Sequence, residues 1–243
     1  MPTAPATLHS LACPQRSRLP QIAVRVSKKC ANPAAAISFL NELIAKLLED
    51  KSFKSEQPVV LVKMSIAELH LFTGDLQESK ALIDQGSDFV ESRQDLEPVV
   101  YAAVYHAAAQ LYKVKADFAA FYRAALKFLA YSDLGAMDPA LQASMAVDIS
   151  LAALLGEGVY SFGELVLHPV MGVLDGTPFA WLREFLQCFD GGDLHSYDDL
   201  CRKYSQQLSA QPALVKAEAE LRKKARRGWG LGPCGGAGPH RCT

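Results

Sequence analysis

The residues with the widest chemical range fall together at positions 156–169, where Gly156, Gly158 and Gly163 are interleaved with Glu157, Tyr160, Glu164 and His168. Glycines at that density suit a loop whose backbone amides cradle phosphate. A dinucleotide loop needs Gly-x-Gly-x-x-Gly after a strand, and here Ser161 stands in the third glycine's place behind a helical pattern. No Gly-Lys-Ser/Thr follows, which removes the P-loop as well. Glu164 and His168 are spaced to share one helix face, as two zinc ligands would, yet no third ligand is in sight by spacing and His-Glu-x-x-His is absent. The other histidines, His9, His70, His106, His195 and His240, are scattered without a recurring Cys or Asp partner.

Two cysteine sets raise the same question. Cys188 and Cys201 flank GGDLHS, which places His195 between them as the base of a cysteine nucleophile. Both cysteines occupy positions that face helical neighbours, so core packing is their expected role. Cys234, His240 and Cys242 lack the fourth ligand a metal would need, and a Gly-x-Ser-x-Gly elbow is missing from the chain. The expectation is a chain with no catalytic residue, no metal, no cofactor and no small-molecule substrate. One dense charge run remains, Arg222, Lys223, Lys224, Arg226 and Arg227. It is read as the solvated face of a terminal helix, with a basic contact patch as the functional alternative; without interleaved aromatics it offers bases nothing to stack on.

The elements that must carry these residues are helical almost throughout. Val59, Val62, Ile66 and Leu69 form one stripe at helical spacing, Val100, Val104, Ala108 and Leu111 another. Further stripes run through Phe118, Phe121, Ala125 and Phe128, through Leu141, Met145, Ile149 and Ala152, and through Leu182, Phe185 and Phe189. The pattern predicts about nine or ten helices. Pro33, Pro58, Pro98 and Pro139 each fall where a first helical turn tolerates proline. Asp75, Asp117 and Asp193 each precede an apolar residue at a helix start, the first two 42 residues apart and the last two 76, close to twice 38. One helical hairpin per forty residues or so is the period of an α-solenoid, with a helical bundle as the competing architecture. In that frame positions 151–155 end a helix, Gly156 or Gly158 turns left-handed, and Ser161 or Phe162 starts a short helix that Pro169 delimits. Tyr160 and Phe162 are expected to pack back across this turn, and Gly163 completes the structural motif.

Composition sets the outer bounds. The chain has 243 residues, half of them apolar, and 25 basic against 26 acidic side chains, so no global field would hold a polyanion. Six cysteines without a close Cys-x-x-Cys pair fit a reducing compartment. Charges interrupt every apolar run before it could span a membrane. No acidic residue precedes Glu42, while Arg16, Arg18, Arg25, Lys28 and Lys29 are basic; a transit peptide has this composition, as does a loose leader before a first helix. The expected division is a poorly structured segment 1–18, a helical-repeat region 19–227 and a disordered Gly/Pro/Cys tail 228–243.

The stretch LLGEGVYSFGELVLHPV, together with NPAAAISFL, LHLFTGDLQESKALID and FYRAALKFLAY, resembles the PCI-family subunits of the proteasome lid rather than their relatives in the signalosome and the translation initiation factor 3 complex. The resemblance runs from about Leu19 to Arg227. It implies an all-α, TPR-like α-solenoid of the kind that leads into a winged helix, a non-catalytic scaffolding role in ubiquitin-dependent degradation, other lid subunits as partners, and residence in cytoplasm and nucleus. It also implies departures at both ends: the first helices are missing, and beyond Arg227 the tail stands where the winged helix and terminal helix are expected, as in a splice form or a gene-model artefact. The alternative is an independent helical-repeat adaptor of a related PCI complex, touching RNA weakly through 222–227. Neither nucleic acid nor membrane is the expected partner.

Overall fold

The computed structural model describes residues 19–27, 32–49, 56–192 and 194–227; the expected segments 1–18 and 228–243, with Cys13, Cys30, Cys234, Cys242, His9 and His240, lie outside them, as does Asp193. Among the described residues every regular element is helical and none is a strand. The chain divides into two compact units at Leu111/Tyr112.

The first unit holds α1 (Leu19–Ser27), α2 (Pro33–Glu49), α3 (Gln57–Thr73), α4 (Leu76–Glu91) and most of α5 (Pro98–Val114). Proline opens α2 and α5 and sits in the first turn of α3, where its missing N–H leaves no bond unmade. Leu40 and Leu47 of α2 meet Val62 and Ile66 of α3 in a buried cluster, with Ile44, Val59 and Leu69 packed against it. Helix α4 lies close to its neighbours because Gly86 has no side chain. A Cβ there would stand 2.7 Å from Met64 Cε and 3.3 Å from Val104 Cγ2. At the edge of this packing His106 Nδ1 and Glu68 Oε1 meet at 2.6 Å, joining α5 to α3. The Gln57 side chain accepts the Glu97 N–H at 3.1 Å, tying the α5 start to the α3 start.

The second unit contains α6 (Phe118–Ala130), α7 (Pro139–Leu155), α8 (Gly163–Leu167), α9 (Ala180–Gly191), α10 (Leu194–Lys203), α11 (Ser205–Ser209), α12 (Pro212–Lys216) and α13 (Glu218–Arg227), with short 3₁₀ turns at Leu134–Ala136 and Pro169–Leu174. Helices α6 and α7 pack as a hairpin, and α9 lies against α7, α8, α10 and α13. An aromatic cluster on α9 marks the core: Phe162 and Phe189 stand 5.6 Å apart, Phe189 and Tyr197 5.5 Å, Trp181 and Phe185 5.7 Å, the last edge to face.

Thirteen α-helices are present among the described residues, more than the nine or ten expected. The excess comes from the stretch after α9, which is divided at Tyr204, at Gln211 before Pro212, and at Ala217. Tyr204 is pinned there, its hydroxyl donating to Glu184 Oε1 at 2.7 Å. Phe118 and Leu141 lead their stripes in sequence yet are exposed in the first turns of α6 and α7. No described helix is long and apolar enough to cross a membrane.

The spacing of acidic helix starts has a conformational counterpart. Gly74 (φ 87) precedes Asp75, and Ala116 (φ 55) precedes Asp117, so a left-handed residue stands before each capping aspartate. Asp75 accepts the Glu78 N–H at 3.3 Å and Asp117 the Ala120 N–H at 2.9 Å. Gly192 (φ 68) takes the same left-handed conformation at the end of α9.

Candidate functional site

The segment 156–169 is a corner, and each of its turns has a local cause. Helix α7 stops because Gly156 leaves helical space (φ −64, ψ 126) while its N–H still donates to Ala152 O at 2.7 Å. The left-handed residue is Gly158, with φ +71 and open space around the position a Cβ would take. Gly156 is glycine for a different reason: a Cβ would lie 2.8 Å from Ala152 O and 3.1 Å from Ala119 Cα, which is backbone of α6 and has no room to yield. Val159 turns inward, Tyr160 is half-buried, and the Ser161 carbonyl accepts the Tyr122 hydroxyl of α6 at 3.1 Å. Burial, aided by Glu164, pushes the Tyr122 phenol up to about 12, so it stays a donor across neutral pH.

Phe162 is fully buried. Its ring packs onto Phe189 of α9, and α8 begins at the next residue, Gly163. Gly163 sits against the same helix; a Cβ there would stand 3.3 Å from Asp190 Oδ1. Pro169 does more than delimit α8, because it opens the 3₁₀ turn Pro169–Leu174. His168 caps that turn, Nδ1 accepting the Val170 N–H at 3.2 Å. Partial burial holds its imidazole below the usual range, which keeps Nδ1 free to accept. Glu164 is exposed on α8. Among the described residues no three or more His, Cys, Asp or Glu are gathered to hold a metal.

The other sequence-flagged groups separate. Cys188 is buried and Cys201 half-buried, and neither is in a disulfide. Burial pushes the Cys201 thiol up, the opposite of what a nucleophile needs. His195 is exposed and lies 3.9 Å from Asp199, one turn along α10.

The basic run does not form a single patch. Lys224, expected on a solvated face, is 5% exposed and points into the unit. Its Nζ donates to Ala153 O at 3.1 Å, Leu154 O at 2.7 Å and Gly156 O at 2.5 Å. Ala153 and Leu154 supply last-turn carbonyls that α7 itself leaves without a partner, so the ammonium satisfies a helix end from another helix. Burial pushes Lys224 down to about 8 against the opposing pull of Glu220 and Glu157. The neighbours stay outside: Arg222 pairs with Asp198 at 3.0 Å, Lys223 with Glu220 at 2.6 Å, and Arg226 is exposed. Arg227 closes α13, its side chain lying outside the described ones. The signal for Lys224 lay in the sequence as Leu221, Lys224 and Ala225, an i, i+3, i+4 face whose two apolar members are buried. Charge density concealed it. The structure thus joins the two features the sequence set apart, the glycine corner and the basic run.

An open cleft of about 540 Å³ borders the corner, lined by Asp117, Phe118, Leu155, Glu157 and Lys216 among others. Of its charged groups, Asp117 is already engaged at the start of α6.

Comparison with known proteins agrees with the helical-repeat reading. Residues 16–186 match the family model described as PSD13 N-terminal repeats. The 26S proteasome non-ATPase regulatory subunit 13 homolog B of Arabidopsis thaliana is 40% identical over 207 residues, 85% of this chain and 54% of that protein. The probable 26S proteasome regulatory subunit rpn9 of Schizosaccharomyces pombe is 32% identical over 203 residues, 84% of this chain and 51% of its own. The 26S proteasome regulatory subunit RPN9 of Saccharomyces cerevisiae is 28% identical over 199 residues, 78% and 50%. The chain spans about half the length of the curated relatives it matches.

Proposed function

Since the chain belongs to the PSD13 N-terminal-repeat family, we propose that it is a non-catalytic scaffolding component of the proteasome regulatory-particle lid. In this reading its hairpins stack as an α-solenoid, its partners are other lid subunits, and it works in cytoplasm and nucleus. The observation that carries the proposal is the family match over residues 16–186, which includes both helix corners with a capping aspartate and the whole glycine corner. The chemistry of the corner is in keeping with it. Three polar side chains there hold backbone in place: Lys224 on carbonyls at the end of α7, Tyr122 on the Ser161 carbonyl, and His168 on the Val170 N–H. The adaptor alternative, with RNA held by residues 222–227, loses its main donors, because Lys224 is turned inward and Arg222 and Lys223 are paired with carboxylates.

Co-expression of the tagged chain with the remaining lid subunits, followed by native mass spectrometry of the purified tag fraction, tests the proposal. One copy of the chain per lid assembly is the expected result. A chain that elutes alone while the other subunits assemble without it would overturn the reading.

A further inference from the structure

Helix α13 has little of its own to hold it in place. It is ten residues long, below the length at which isolated helices persist in water, and Arg222 and Arg226 repel one another at i, i+4. Its buried apolar contribution consists of Leu221 and Ala225. The Arg222–Asp198 pair that ties it to α10 is exposed and of the kind that contributes little. Against this stands one contact set with no solvent competition: the Lys224 ammonium placed on three carbonyls at the end of α7. Each of its three N–H donors has an acceptor, and the two last-turn carbonyls it serves belong to buried residues, Ala153 and Leu154.

From this arrangement we infer that Lys224 is a latch: the docking of α13 depends on this single ammonium–carbonyl contact set, and its loss releases α13 and loosens the glycine corner while α6 and α9 stay folded. The role is that of a positioning residue, acting through the α7 terminus. It is independent of the lid assignment, since it concerns one unit of the chain by itself.

Native-state hydrogen exchange on the full chain tests it. In the wild type, α13 amides and those of Gly156 and Val159 exchange through a shared opening that requires less free energy than the opening of α9. In Lys224→Met, which keeps the apolar stem but has no donor, those amides exchange about tenfold faster or more, the scale of one lost charged hydrogen bond. Amides of α6 and α9 keep their wild-type rates, Arg222→Ala shows a much smaller change, and Lys224→Arg, which keeps charged donors, falls between wild type and Lys224→Met. Unchanged α13 exchange in Lys224→Met, with acceleration in Leu221→Ala instead, would show that apolar packing holds the helix and would overturn the latch. So would equal acceleration at every amide, the mark of an ordinary core residue. Should the methionine variant fail to fold, the wild-type measurement decides alone: α13 amides that exchange only through global unfolding refute the inference.

Discussion

The molecule turns from one helix to the next at Gly74 and again at Gly156–Gly163, and the two corners are built differently. At Gly74 everything needed is within a few residues. The left-handed glycine ends α3, its neighbour Asp75 donates its N–H to His70 O at 2.9 Å, and the Asp75 carboxylate accepts the Glu78 N–H. Nothing lies within 4 Å of the place a Cβ would occupy. At Gly156 the backbone meets α6 at Ala119, α7 at Ala152, α9 through Phe162 and Gly163, and α13 through Lys224. The first corner reverses the chain; the second gathers four helices. Glycine is used for its left-handed freedom in one and mainly for its lack of bulk in the other.

That contrast is sharpest under the same substitution. Gly156→Ala is expected to cost about 3 kcal/mol, since its methyl would meet backbone on two sides. Gly74→Ala, strained only in φ, should cost about 1 kcal/mol. Urea unfolding of both variants measures the difference, and equal losses would break the distinction between the corners. A smaller effect follows from capping: Asp75→Ala removes a carboxylate acceptor at the α4 start and is expected to lower stability by about 1 kcal/mol, with Asp75→Asn close to wild type. Thermal melts of the pair would separate a capping role from a purely electrostatic one.

A further effect lies in the pH dependence of the glycine corner. Burial holds Lys224 at about 8 in the folded chain, against its ordinary 10.5. Between those values the unfolded chain binds the extra proton, so stability rises with pH through that window, and the cost of burying the charge is fully present below it. The stability of the wild type relative to Lys224→Met should therefore increase from pH 8 to pH 10.5. A difference that is flat over this range would mean that the folded and unfolded lysines titrate alike.

What could be read in advance follows the same division. Proline positions, capping aspartates and the glycines after α3 and α7 act over a few residues, so Pro33, Pro139, Asp75 and Asp117 appear where the sequence places them. Phe162 was legible as an inward-packing residue, though not its partner Phe189, which lies farther along the chain on α9. Lys224 was misread for a related reason. Its neighbours Arg222 and Lys223 are solvent-facing, and charge density describes the run as a whole, whereas helical phase assigns each member its own environment.

By itself the sequence determined the helical character of the described residues, their principal helix starts and stops, and the glycine-rich corner. These are products of short-range geometry: apolar period, backbone freedom and the satisfaction of terminal amides within one turn. Only the tertiary structure decided that Gly156 comes against α6 and that one of five clustered basic residues belongs inside. Both depend on groups distant in the chain, Ala119 in one case and the carbonyls of Ala153 and Leu154 in the other. A buried ammonium is tolerable only where such acceptors converge, and that convergence is created by packing.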